Sequence, residues 1–198
     1  MVIDPPPVST ALLLIDLIND LSHPEGRAPS CAAQLVARGG IAGANRALAI
    51  ARGRGWAVVL VKVGFAAGYT DLPAASPVFG PAARAGALRL GQWGTDFHGD
   101  LQIQPDDPVL VKPRISPFFG TRLAADLRAQ GIGRLVLAGV STAWAIQAAA
   151  RDAHDRDLQV VVVEDACAAA SAAEHGHSIT LLSRIATVTS AAGLAALA

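Results

Sequence analysis

A chain of 198 residues that is 52% hydrophobic is long enough to bury one substantial core, and a second is not expected. Lys plus Arg number 16 and Asp plus Glu 16, so no net charge draws the chain to nucleic acid or to an anionic membrane. Cys31 and Cys167 lie too far apart for a disulfide framework or a zinc motif, no apolar run is long enough to span a bilayer, and the N-terminus lacks the basic-then-apolar pattern of a leader, which together read as a soluble cytoplasmic protein.

After Pro5-Pro6-Pro7, residues 11–15 (ALLLI) form a continuous apolar run, as expected of a strand covered on both faces. Asp16 closes that run where α/β folds place their ligands; capping of the next turn is the competing reading. Residues 32–54 carry helical spacing, with Ile41, Ala44, Leu48 and Ala51 about one turn apart and Gly39-Gly40 as an alternative start. Gly55 stops this helix, and 57–63 (AVVLVKV) is the second buried strand. From Gly64 to Asp107 the periodicity disappears and turn formers recur, among them Gly68, Pro73, Pro77, Gly80 and Pro81. A connection of this length is normally a functional loop, a lid or an oligomer contact. Its Phe65, Tyr69, Phe79, Trp93, Phe97 and His98 either wall a small-molecule pocket or pack the loop itself, and 95–101 is expected to form a short helix.

Residues 109–111 form a third short strand ending at Lys112, which Pro113 fixes, so this lysine is a less ordinary surface residue than Lys62. Beyond Arg114-Ile115-Ser116-Pro117-Phe118-Phe119 comes a helix over 122–130, stopped by Gly131. Residues 135–138 are the fourth strand, broken by Gly139, and Ser141 and Thr142 are good N-caps for the alanine-rich helix that follows. A strand that turns directly into a helix leaves first-turn N–H groups at the sheet edge, a small site for an anion or oxyanion. Ala145, one turn in from Thr142, faces that place; a nucleophile would be useful there, and alanine has no chemistry to offer. A fifth strand over 158–163 ends at Glu164-Asp165, and a helix over 173–183 precedes a last strand over 186–189. Strands alternating with helices predict a parallel sheet covered on both sides.

The stretches LLLIDLINDL around Asp16, VLVKPRISPFFGTRL around Lys112, and LVLAGVSTAWAIQAAARDAHDRDLQVVVVEDACAA resemble, in their order and spacing, the isochorismatase-like (cysteine hydrolase) superfamily over nearly the whole length. The resemblance implies an α/β Rossmann-like three-layer fold, with residues 1–198 as one hydrolase domain. It implies a six-stranded parallel sheet in the order 3-2-1-4-5-6, helices on both faces, and a pocket between the ends of strands one and four. It further implies an Asp-Lys-Cys triad acting on small amides and related C–N bonds. Asp16 matches the proton-shuttling aspartate and Lys112 the lysine, while Val140, Ser141 and Thr142 form the oxyanion turn, with a cis peptide between Val140 and Ser141. The triad cysteine falls on Ala145. A thiol there would sit at a helix N-terminus beside a lysine, which stabilises the thiolate. Cys167 does not replace it and reads as a small buried hydrophobe.

Three readings of Ala145 stay open: an introduced substitution in an amide hydrolase, a natural variant that keeps chemistry without the thiol, and a binding protein that has lost catalysis. Isochorismatases proper resemble the second, since they hydrolyse a vinyl ether with the aspartate as acid and no cysteine, although Thr142-Ala143-Trp144 departs from their sequence. A nicotinamidase metal site needs histidines after the second strand, and no histidine lies between His23 and His98.

Arg114 and Ser116 are candidates for orienting a substrate carboxylate or carbonyl, with a local structural bridge as the competing reading. Phe118, Phe119, Trp144 and Trp93 are candidate pocket walls that core or interface packing would equally explain. His98 reads as a surface histidine, and Arg151, Asp152, Asp155 and Arg156 as a solvated or subunit-facing salt-bridge patch. The expectation is a small-molecule substrate, no cofactor, no metal, no nucleic-acid or membrane partner, and a homo-oligomer, dimer or tetramer.

Overall fold

The apolar runs become six strands, β1 (Thr10–Ile15), β2 (Ala57–Val63), β3 (Val109–Lys112), β4 (Arg134–Val140), β5 (Gln159–Ala168) and β6 (Thr187–Thr189), in a computed structural model that describes residues 8–197. Pro5-Pro6-Pro7 lies outside the described residues. Every pairing is parallel and the order is β3-β2-β1-β4-β5-β6, so the sheet order that the resemblance implied is the one observed. The order reverses direction at β1, whose neighbours are β2 and β4, and in such sheets the crevice beyond the strand ends at the reversal is the ligand position.

The two-residue period of a strand decides which layer each side chain enters. Leu12 and Leu14 of β1 point to one face, where they meet α3 (Gly40–Gly53) through Ala44, Ala47, Leu48 and Ala51. Leu13 and Ile15 point to the other face, toward α5 (Leu123–Ala129), α6 (Gln147–His154) and the residue before α6, where Leu123, Leu127, Ala149 and Ile146 receive them. All six β1 residues are buried, which explains why the run shows no polar alternation. The remaining helix of regular length, α7 (Ala172–Leu182), starts from an N-cap, Ser171, whose side chain accepts from Glu174 N.

The structure departs from the sequence reading where glycine or long-range pairing intervenes. The helix expected over 32–54 is two, α2 (Ala32–Arg38) and α3, because Gly39 adopts a left-handed φ of 63° and caps the first. The helix expected over 95–101 does not form. A 3₁₀ turn at Trp93–Thr95 is followed by backbone that pairs elsewhere: Asn19 N donates to Asp96 O at 2.9 Å and His98 N to Leu17 O at 2.9 Å. Two short helices were not foreseen, α1 (Asn19–Ser22) and α4 (Gly80–Ala85). β5 continues past Glu164 and Asp165 to Ala168, because a register shift between Leu137 and Gly139 lets Gly139 pair Cys167 and Val140 pair Ala168.

Candidate active site

Asp16 leaves the end of β1 in a left-handed conformation, φ 58°, which an aspartate tolerates better than most residues. Its N–H donates to Val61 O at 2.8 Å, and its Oδ1 accepts from Val63 N at 2.7 Å, so β2 fixes both the backbone and the carboxylate. Lys112 ends β3, on the far side of β2, and its Nζ lies 2.8 Å from Asp16 Oδ2, with side-chain exposures of 2% and 5% for lysine and aspartate. The same Nζ donates to the carbonyls of Arg114 and Ile115, each at 3.1 Å. An ammonium has three N–H donors, and here three acceptors take them, which pins the charge in place. Burial pushes the Asp16 carboxyl above the usual carboxylate range, while Lys112 and the Val63 N–H pull the other way.

On the other side of β1, Gly139 brings β4 close: a Cβ at this residue would lie 2.0 Å from Ile15 O. The Val140–Ser141 peptide is cis, as the resemblance implied. The chain then makes one π-helical turn, Thr142–Ile146, before α6, where a plain α-helical start was expected. Ser141 closes that turn on itself. Its Oγ accepts from Ala143 N at 3.3 Å, and its carbonyl accepts from Trp144 N at 3.1 Å and Ile146 N at 3.2 Å. Three of the N–H groups that the sequence reading left open to an anion therefore have partners inside the turn.

A cavity of about 580 Å³ opens over these strand ends, with Asp16, Lys112, Val140, Ser141, Trp144 and Ala145 among its lining residues. Ala145 is 4% exposed, and Trp144 stands at 51% exposure. Thr142 does not line the cavity; it is fully buried, with its hydroxyl 2.9 Å from His175 Nδ1.

The other candidates lie outside the cavity lining. Arg114 donates to the carbonyl of Pro113 at 2.6 Å, and it is its own carbonyl that serves the site, through Lys112. Ser116 is a structural bridge, its hydroxyl bonded to Asp152 and accepting from Phe118 N at 3.1 Å. Phe118 is buried under the Arg156 guanidinium, 4.6 Å from its ring centre, and Phe119 is 60% exposed. Trp93 packs edge-on against His23 at 5.2 Å. His98 is mostly covered and tilts against the same His23 ring, 5.5 Å away. Cys167 is fully buried and its thiol is pushed up to about 12 by that burial.

The cavity's remaining walls come from segments that showed no motif. The long connection between β2 and β3 contributes Val78, Phe79, Ala82 and Leu88, so one of its aromatic rings lines the cavity and Trp93 does not. The segment before α2 contributes Arg27 and Cys31. Asp20 joins these two walls, its Oδ1 accepting from Arg27 N at 3.0 Å and its Oδ2 from Leu88 N at 2.6 Å. The Cys31 thiol is raised by burial, against hydrogen bonds from Ser30 and Ser141.

His175 was also not singled out. It is 2% exposed, holds Thr142 through Nδ1, and has no hydrogen-bond partner at Nε2, although Glu164 Oε1 lies 3.6 Å away. Burial lowers its pKa, Arg38 lowers it further, and Glu164 opposes both. Among the described residues no three His, Cys, Asp or Glu side chains gather as a metal would require, and no helix is long and apolar enough to cross a membrane.

The Isochorismatase domain family model matches residues 10–193. The isochorismatase family protein YecD of Escherichia coli O157:H7 is 35% identical over 183 residues, 92% of each chain. The ureidoacrylate amidohydrolase RutB of Variovorax paradoxus is 30% identical over 172 residues, covering 79% of this chain and 68% of its own. The crystal structure of an isochorismatase family protein from Desulfovibrio vulgaris superposes with a TM-score of 0.84 at 28% identity, covering 94% of this chain and 96% of the other. A six-stranded parallel sheet in this order, a buried Asp-Lys pair at its switch point and similarity along almost the full length lead to one assignment: the chain belongs to the isochorismatase family of hydrolases.

Proposed function

We propose that residues 1–198 act as one hydrolase domain on a small molecule, at a C–N bond of the amide or carbamoyl kind, with water in place of a thiol as the attacking group. The observation that carries this is the 2.8 Å Asp16–Lys112 pair on the floor of the cavity, with Ala145, taken as the place of the family cysteine, facing the same space. Similarity to a ureidoacrylate amidohydrolase supports the choice of bond.

In this reading a water stands over the Ala145 methyl, where a thiol would otherwise reach. The Asp16 carboxylate removes a proton as the water oxygen bonds to the carbonyl carbon, and Asp16 returns that proton to the departing nitrogen as the C–N bond breaks. The products are a carboxylic or carbamic acid and an amine or ammonia. Lys112 has no N–H left for substrate, so it acts through its charge, keeping a usable fraction of Asp16 ionised against the burial that raises it. The same raised carboxyl favours a second reading, in which protonated Asp16 is the acid for cysteine-independent, isochorismatase-type vinyl-ether hydrolysis.

The proposal extends to a cytoplasmic homo-oligomer. Two free buried cysteines suit a reducing compartment, and Trp93, Phe119 and Trp144 are large apolar side chains at the surface.

The test is release of amine from a panel of small amides and carbamoyl compounds by the parent and by Asp16→Asn. Turnover in the parent that falls by about 10²–10⁴-fold in the variant is expected, the range that positioned acid–base groups contribute. Turnover that survives Asp16→Asn unchanged would remove the mechanism, and a folded parent that binds these compounds but converts none would leave a binding protein.

A further inference from the structure

The cavity joins a charged floor to walls that are almost entirely hydrocarbon. Val63 and Leu88 rise beside the Asp16–Lys112 pair, Phe79 and Ala82 come from α4 and the residue before it, and Ile115 and Trp144 complete the wall. Phe79, Ala82, Leu88 and Val63 belong to a hydrophobic cluster that also contains Ile18 and Phe65, so these walls are the exposed side of a packed unit. Phe65 and Phe79 meet edge to face with ring centres 5.4 Å apart, which holds Phe79 in position.

The polar groups on the lining are few and mostly engaged. Lys112 has all its donors taken, and Ser141 Oγ accepts inside its own turn. The Cys31 thiol lies 3.8 Å from the Ser30 hydroxyl, within hydrogen-bond reach of sulfur. Arg27 is the remaining charge on the lining. It is exposed, and its guanidinium is held by the carbonyl of Gly86 at 2.9 Å, at the end of α4. A ligand with several hydroxyls or charges would lose its water against these walls and gain no partners.

We infer that the substrate is an amide or carbamoyl compound with one polar reacting group and an uncharged hydrocarbon body, alkyl or a single aromatic ring. The reacting group sits over Asp16 and Ala145, and the body lies against Phe79, Ala82 and Leu88. This rests on the proposed C–N hydrolysis for the reacting end, whereas the hydrocarbon body follows from the walls. A cavity of about 580 Å³ is within the range of sites that enclose compounds of this size.

The experiment is calorimetric titration of the intact protein with primary amides from acetamide to hexanamide, with benzamide, and with succinamate as the charged counterpart. Binding is read without any need for turnover. The expected result is a Kd that falls about fourfold per added methylene, the factor that complete burial of one CH₂ provides. Benzamide should bind more tightly than acetamide, and succinamate more weakly than butyramide. Val78→Asp, at a half-exposed position on the lining, should weaken hexanamide at least tenfold and leave acetamide unchanged.

A flat series, or succinamate binding more tightly than butyramide and losing that advantage in Arg27→Gln, would overturn the inference. The two claims fail separately. A steep series with neither these amides nor the carbamoyl panel hydrolysed would sustain the ligand class and end the hydrolysis reading. Faster hydrolysis of succinamate than of butyramide would sustain hydrolysis and overturn the uncharged body.

Discussion

Replacing Lys112 by methionine tests whether the pair on the cavity floor is a coupled charge device. The lysine is 2% exposed and its Nζ serves Asp16 Oδ2 and the carbonyls of Arg114 and Ile115. Methionine fills a similar volume and abandons all three acceptors. Breaking a buried ion pair from one side costs about 3–5 kcal/mol, because the other charge stays behind. In a chain of this length that corresponds to a fall in Tm of roughly 6–20 °C. Asp16 can escape part of the cost by taking a proton, which sets the sign with pH. A carboxyl whose folded pKa is raised contributes stability that is present below its unfolded pKa and is lost as pH rises through the folded value. Without Lys112 the lowering influence is gone and burial acts alone, so that loss extends to higher pH. The destabilisation should therefore be larger at about pH 8 than at about pH 5.5 in urea unfolding. Adding Asp16→Asn should recover part of the stability at about pH 8, since the double variant buries no lone charge, with a coupling of roughly 0.5–3 kcal/mol. Loss of less than about 1 kcal/mol at both pH values, or a deficit that grows toward acid, would refute the coupled-pair argument.

Ala145→Cys should be alkylated by iodoacetamide faster than Cys31 or Cys167, whose thiols burial pushes up, and adding Lys112→Met should slow that reaction; an introduced thiol no faster than the native pair would show a pocket not built for a thiolate. His175, with its pKa lowered by burial, contributes stability present above the unfolded histidine value and lost as pH falls through the folded one, so between about pH 7 and pH 5 the parent should lose up to about 1.4 kcal/mol per pH unit that His175→Gln does not. His98 is lowered as well and contributes to both proteins, so the difference between them isolates His175, and equal slopes would remove it as the titrating group.

What the sequence disclosed follows from the range of the forces involved. ALLLI and LVLA are read correctly because a strand buried on two faces must be apolar throughout, a local signal. Asp16 and Lys112 stood out because each ends a short apolar run, and the sheet order then decides that they meet across β2. The cavity walls were not legible for the opposite reason. The helix at Gly80–Ala85, GPAARA, is too short to show a stripe, and packing on Val63 and Phe65, distant in sequence, sets where Phe79 and Ala82 lie. Cys31 and Leu88 reach one cavity through Asp20, whose carboxylate ties the two segments by hydrogen bonds that no spacing reports. Ser116 drew notice for standing near Lys112, yet its partner is Asp152, 36 residues further on. Nearness in sequence was a poor guide here because β3 ends the ordered edge and the chain beyond it turns back across α6.

The fold separates two properties that a single nucleophilic side chain would otherwise join. The floor is rigid and local: β1, β2 and β3 set Asp16 and Lys112 by ladder geometry, and every Lys112 donor is satisfied without help from a ligand. Most of the wall comes from the connections after β1 and β2, which Asp20 joins and which the sheet does not dictate. In the serine-protease template, loss of a triad member leaves roughly 10³–10⁴-fold acceleration from binding and oxyanion stabilisation. If Ala145 holds the nucleophile's place as proposed, the site is expected to work on that smaller scale, and the binding of the substrate body then carries a larger share of the rate. A hydrocarbon contact with Phe79 or Leu88 that is stronger in the transition state than in the bound substrate raises kcat, and a contact equal in both lowers KM and leaves kcat unchanged. On the proposed mechanism, selection for substrate would act on the wall residues, and changes at Val78, Ala82 or Leu88 should alter which amide is preferred, while changes at Asp16 or Lys112 should reduce cleavage of every amide alike.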